Sequence, residues 1–209
     1  MIPYGTFTFF LIAFIVLIPV IILGFLGKRS YIYNGISTAI MIVLIFSSDK
    51  HNLLGQKYLS VQLLSFIIYV IWQVALIMFY YKSRQKNNTF AKFTTVMVLS
   101  ILPLAIVKIL QSSWLGGHQI HFHESKLIEF VGFLGISYVT FKSVQLIMEI
   151  RDGSIKEIKV WKLIQFISFF PTISSGPIDR YKRFVKDDKK VPTGGEYREL
   201  VLKIGRAHV

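Results

Sequence analysis

Apolar residues in this chain come in long runs separated by short polar or basic stretches. Runs of about 18 or more such residues are the length that crosses a bilayer as a helix. The first covers residues 7–26, with Pro19 inside it as an expected kink. No basic residue precedes it, and it ends at Lys28-Arg29 without a small-residue cleavage pattern, so it reads as a retained helix and not a signal peptide. Further spans are expected over residues 31–46, 59–81, 90–110 and 127–150, with Pro103 inside the fourth. Tyr69, Trp72, Tyr80 and Tyr81 in the third fit anchoring at a membrane interface, above all at its C-terminal end. Polar stretches at 47–58, 82–88 and 111–125 divide the spans. A last apolar stretch, 161–173, is too short to cross about 30 Å of hydrocarbon at about 1.5 Å per residue. Both its flanks are basic, so it is expected to dip into the membrane and return, or to lie flat on it, with the Pro171 to Pro177 turn lining a cavity. The expectation is an all-α, multipass integral membrane protein with about five spanning helices and one re-entrant or interfacial segment.

Composition supports the membrane class. Of 209 residues, 53% are hydrophobic and 17% charged, against about 25% charged in a typical soluble domain. The formal net charge is +13, and the placement of the cations gives it meaning. With the N-terminus outside, inner loops hold Lys28 and Arg29, then Lys82, Arg84, Lys86 and Lys92, then Arg151, Lys156, Lys159 and Lys162 and the basic C-terminal stretch. Outer loops hold Lys50, Lys57 and Lys126. That asymmetry is the positive-inside pattern, and anionic lipid is the natural partner of the inner surface. No motif accompanies the charge that would direct it to nucleic acid. Without cysteine there is no disulfide, thiolate metal site or thiol nucleophile.

Candidate chemistry concentrates between Gly132 and Phe184, where polar residues interrupt hydrophobic sequence and are expensive. Lys142 falls inside the fifth span, with Glu149 two turns further along the same face and out of direct reach. A buried ammonium needs a partner or water, and Lys142 is too far from the helix ends to snorkel readily, so it is a candidate to face a polar interior cavity. Ser137, Tyr138, Thr140 and Ser143 spread around the helix, a distribution that suits helix–helix packing as well as a funnel lining. Lys108, near the end of the fourth span, is placed to snorkel. Ser175 beside Gly176 lacks a nucleophile elbow and a nearby histidine. His118, His121 and His123 have too few companions for a zinc site, so no metal is assigned. Arg180, Lys182 and Arg183 open a basic strip continued by Lys186, Lys189 and Lys190, which suits either anionic lipid or an acidic partner.

Two motifs carry a resemblance. Gly135-Ile136-Ser137-Tyr138-Val139-Thr140-Phe141-Lys142 is followed by Phe169-Phe170-Pro171, then Gly176-Pro177-Ile178 and Arg180. Together with the N-terminal Met1-Ile2-Pro3-Tyr4-Gly5 and the order of spans, they resemble the membrane-bound O-acyltransferase (MBOAT) superfamily, and within it the branch that serves D-alanylation of lipoteichoic acid in Gram-positive cell walls. The resemblance implies tilted helices around a funnel in the plasma membrane, with Ser137, Tyr138, Thr140, Lys142, Pro171, Ser175, Gly176 and Pro177 as motif or lining positions. It implies a donor thioester on the phosphopantetheine of a small acidic carrier protein, docking on Arg180, Lys182 and Arg183, with no cofactor held by the chain itself. Other membrane proteins of the D-alanylation system and lipoteichoic acid as acceptor complete the implied partners. Alternatives are an alginate-type polysaccharide O-acetyltransferase and a non-catalytic transporter or flippase component. The superfamily's catalytic histidine lies beyond the Gly-Pro-Ile region, and none of His51, His118, His121, His123 or His208 matches it, so no catalytic residue is assigned and this polypeptide alone is expected to be inactive. Residues 1–203 are expected to be the N-terminal part of one MBOAT domain. Ile204 to Val209 reads as one frame of a common sequencing adaptor, giving the expectation that authentic protein stops near Lys203.

Overall fold

A computed structural model describes residues 7–28, 30–46, 61–86, 89–111, 135–173, 179–190 and 193–206. Helices form where the apolar runs lie, because a backbone in hydrocarbon must satisfy its polar groups within its own segment. These are α1 (Phe7–Phe25), α2 (Tyr31–Phe46), α3 (Val61–Lys86), α4 (Phe90–Gln111) and α5 (Ile136–Arg151). After them come α6 (Val160–Ile167), a 3₁₀ turn (Phe170–Thr172), α7 (Tyr181–Lys189) and α8 (Gly194–Arg206). Among the described residues there is no strand. Phe7–Phe25, Gln62–Lys86 and Phe90–Ile109 are each long and apolar enough to cross a membrane, and Ile32–Phe46 is a shorter apolar helix. Large apolar side chains such as Phe14, Ile71 and Phe79 point outward, which suits lipid and not water. The chain is a multipass helical membrane protein.

Several boundaries differ from the sequence reading. Helix α3 does not stop at Tyr81 but runs through Lys82, Arg84 and Lys86, which favour helix and can extend past the hydrocarbon into the headgroup layer. Tyr69 and Tyr80 are buried between helices, and Tyr69 bonds Thr140 inside the bundle, so Tyr69 is not an interface anchor. The stretch 161–173 is two pieces: α6, about 12 Å long, then a break at Ser168 before the 3₁₀ turn. The first third of the expected fifth span, residues 127–134, lies outside the described residues.

The chain divides into two compact units, Met1–Gly55 with Val185–Val209, and Gln56–Phe184. In the first, α1 packs on α2 and α8. Tyr197 of α8 stacks edge-on against Phe25, its ring lying over the Cα of Gly24, where a side chain would collide with it. Helix α8 begins with a reciprocal cap: Thr193 N–H donates to Glu196 Oε2 at 2.9 Å, and Glu196 N–H donates to Thr193 Oγ1 at 3.4 Å. In the second unit, α3, α4 and α5 pack mutually and α6 lies against α3 and α5.

Proline inside a helix orphans the carbonyl four residues earlier and disturbs the next. In α4 those are Leu99 and Ser100, before Pro103. Both find donors on α3: Trp72 Nε1 donates to Leu99 O at 3.3 Å and Gln73 Nε2 to Ser100 O at 3.0 Å. In α1 the Tyr33 hydroxyl of α2 donates to Val16 O, three residues before Pro19, at 2.9 Å. In α4 the neighbouring helix thus repairs the interruption, which is how proline is tolerated at membrane depth.

Candidate functional site

Both sequence motifs meet on one helix face. Gly135 caps α5 at its N-terminus in the left-handed region, φ +87°, which a side chain would strain. A Cβ there would also overlap the carbonyl oxygen of Ile173. Glycine at this position therefore lets the first motif close against the segment that follows the second motif's Phe169-Phe170-Pro171. Two turns along, Lys142 is 2% exposed. Its Nζ donates to Thr172 Oγ1 at 2.6 Å and to Phe166 O at 3.3 Å, and lies 5.8 Å from the Phe166 ring centroid. Thr172 in turn donates to Phe169 O at 3.2 Å. The ammonium thus bridges α5 to the break between α6 and the 3₁₀ turn, with neutral acceptors and no carboxylate in ion-pair contact.

A second polar cluster lies on the same helix. Thr140 Oγ1 reaches Ile136 O at 2.7 Å and shares a 2.6 Å hydrogen bond with the Tyr69 hydroxyl, which also lies 3.5 Å from Ser100 O. Ser100 Oγ donates to Gln73 Oε1 at 2.7 Å, and Gln73 returns the bond through Nε2. Gln73, Ser100 and Thr140 are fully buried, so every polar atom tied up here avoids a penalty of about 1–3 kcal/mol. Ser143 bonds its own helix at Val139 O, 2.9 Å away. Thr140 and Ser143 therefore satisfy local backbone, as helix packing requires. Ser137 and Tyr138 are half-buried and Pro171 is exposed. Ser175, Gly176 and Pro177 lie outside the described residues.

Beneath Lys142 the aromatic rings form a platform. Phe166 meets Tyr181 and Phe184 edge-on at 5.5 and 5.4 Å, and Phe184 also meets Phe169 at 5.6 Å. This seats α7 and turns Lys182 and Arg183 to the exterior. Burial pushes the Tyr181 hydroxyl above the usual phenol range, so it is a neutral donor. Arg180 Nε is 3.9 Å from Glu149 Oε1, and Arg183 Nε is 3.7 Å from Asp179 Oδ1. Two of the three docking candidates therefore share their charge with carboxylates. Lys182 has no ion pair among the described residues.

Among the described residues no cluster of His, Cys, Asp or Glu could hold a metal ion. All five histidines lie outside them. Sequence reasoning missed Gln73 and Ser100, although a lone glutamine within an apolar helix was a usable signal.

No protein-family model matches the chain. Its similarity to individual proteins is extensive. It is 47% identical over 202 residues to a teichoic acid D-alanyltransferase of Bacillus subtilis (strain 168), covering 96% of this chain and 47% of that protein. A teichoic acid D-alanyltransferase of Lacticaseibacillus rhamnosus is 42% identical over 204 residues, covering 96% of this chain and 45% of the relative. One from Streptococcus thermophilus is 33% identical over 199 residues, with 95% and 43% covered. The chain spans about half the length of the curated relatives it matches. Over that span the chain is similar to teichoic acid D-alanyltransferases of three Gram-positive species.

Proposed function

We propose that this chain forms part of a membrane acyltransferase that moves D-alanine from a carrier-protein thioester toward lipoteichoic or teichoic acid across the plasma membrane. The carrying observation is the 47% identity over 96% of the chain to an enzyme of that name. In the reaction an acceptor hydroxyl attacks the thioester carbonyl, an ester forms, and the phosphopantetheine thiol leaves with the hydroxyl proton. The donor cofactor belongs to the carrier and not to this chain. No residue of this chain is assigned as general base.

Within that reading, the contribution of the described residues is to shape and hold. Lys142 and Gly135 hold the α6 break and the 3₁₀ turn that follows it against α5. With the N-terminus outside, as the distribution of Lys and Arg favours, α7 lies at the inner face, where Arg180, Lys182 and Arg183 would meet an acidic carrier. Lys182 is the cation with most to offer.

The test is a chimera in which this chain replaces the matching segment of the Bacillus subtilis relative. Membranes bearing it are supplied with labelled D-alanyl thioester on the carrier protein, and separately with labelled acetyl thioester. Transfer of D-alanyl label to the polymer is the expected result. Acetyl transfer in its place would favour the O-acetyltransferase alternative. No transfer of either, with the chimera correctly inserted, would refute the reading.

A further inference from the structure

We propose that Arg84, Arg151 and Tyr80 form a binding site for the phosphate of an anionic phospholipid, at the membrane rim where α3 and α5 end and α4 begins. Arg84 lies in the last turn of α3 and Arg151 closes α5. The Arg151 guanidinium stacks 4.4 Å from the Phe93 ring centroid and 5.7 Å from that of Phe90, both in the first turn of α4. Tyr80 also meets Phe93, 6.1 Å between centroids. Three helix ends therefore converge around this ring.

The polar atoms gathered there are donors without acceptors. Arg84 Nε and the Tyr80 hydroxyl are buried and have no hydrogen-bond partner, and Tyr80 as a whole is 1% exposed. Among the described residues neither guanidinium has an ion pair, and Asp152 on the adjacent turn makes none with them. Helix carbonyls do not fill the gap. The end of α5 is already closed by its own backbone: Ser154 N–H donates to Glu149 O at 3.0 Å and Gly153 N–H to Ile150 O at 3.1 Å. Gly153, at φ +74°, leaves room above that turn, since a Cβ would stand 3.1 Å from Arg84 Nη2.

A phosphate supplies what is absent: acceptor oxygens for two guanidinium forks and a phenol, in the charge-assisted geometry arginine favours. The surroundings select a lipid as its source. Phe79 and Phe90 beside the site are 60% and 69% exposed, an apolar outward surface for acyl chains. Exposed Lys82 and Lys86 add positive charge at headgroup level. This site does not depend on the D-alanyl reading, and its test does not measure transfer.

The protein in a neutral detergent is melted with phosphatidylglycerol, with phosphatidylcholine of the same acyl chains, and with inorganic phosphate alone. Phosphatidylglycerol should raise the melting temperature, and the other two should not. Arg84→Gln and Arg151→Gln should each remove at least half of that shift, while Lys108→Gln, at the opposite end of α4, should leave it intact. Native mass spectrometry of Arg151→Lys, which keeps the charge, should show fewer retained phosphatidylglycerol molecules than the parent because the bidentate fork is lost. Equal shifts from the two lipids, an unchanged shift in both glutamine variants, or a matching shift from inorganic phosphate would overturn the assignment.

Discussion

Thr172→Val should destabilise the protein more than Lys142→Met does, although Lys142 is the larger and charged partner. In the parent, the buried ammonium has Thr172 Oγ1 at 2.6 Å and Phe166 O at 3.3 Å. Valine removes the shorter bond but leaves the ammonium buried with one long contact, a loss of about 2–3 kcal/mol for a hydrogen bond to a charged group. That corresponds to about 4–12 °C in melting temperature for a chain of this size. Methionine of similar length removes the charge together with its desolvation cost, and such exchanges at buried charges are often neutral, here within about 1 kcal/mol. Thr172 keeps its own bond to Phe169 O in that variant. The double variant should then resemble Lys142→Met, giving a coupling of about 1.5 kcal/mol or more between sites that would otherwise add. Tryptophan fluorescence melts in a neutral detergent give all four values. A larger loss for Lys142→Met, with additive effects in the double variant, would show that the ammonium does not depend on Thr172.

Three further outcomes follow from particular contacts. Gly135→Ala should cost about 1–3 kcal/mol through backbone strain and overlap with Ile173, while Gly195→Ala, with nothing within 4 Å, should leave the melt unchanged or raise it; equal effects would contradict the close approach. Trp72→Phe should cost about 1 kcal/mol in the parent but almost nothing beside Pro103→Leu, which restores the helix's own donor to Leu99 O; an equal cost in both backgrounds would refute the repair. Glu196 is held below the usual carboxylate range first by the Thr193 N–H and then by Lys190. Its capping of α8 should therefore be complete above the unfolded-state value and fade as pH falls through the lower folded-state value, which an NMR titration of its side-chain carboxyl reads. A midpoint at or above 4.5, the ordinary value, would contradict the cap.

Much of this architecture is legible in hydrophobic run length. Helices α1, α2 and α4 begin and end within a residue or so of the apolar blocks that predict them, since block length is what the bilayer dictates. Three things were hidden because they depend on what a neighbour supplies. Tyr69 and Trp72 read as aromatic anchors, yet one shares a hydrogen bond with Thr140 and the other donates to a carbonyl orphaned by Pro103. The α6 break was visible as a shortfall in length, but the Lys142 bridge that holds it spans 30 residues and has no local signature. Helices α7 and α8 carry so many charges that their amphipathic character was masked, although Thr193-Gly194-Gly195-Glu196 is a recognisable capping pattern. The motifs were identified by resemblance, and the packing of Gly135 on Ile173, a contact across 38 positions, was not legible in the sequence.

The most direct test is the base-labile D-alanine released from the walls of cells whose only teichoic acid D-alanyltransferase is the chimera carrying this chain. D-alanyl ester restored toward the level of the unaltered relative is the predicted result. A chimera that reaches the membrane in normal amount and yields no ester above a strain lacking the enzyme would contradict it.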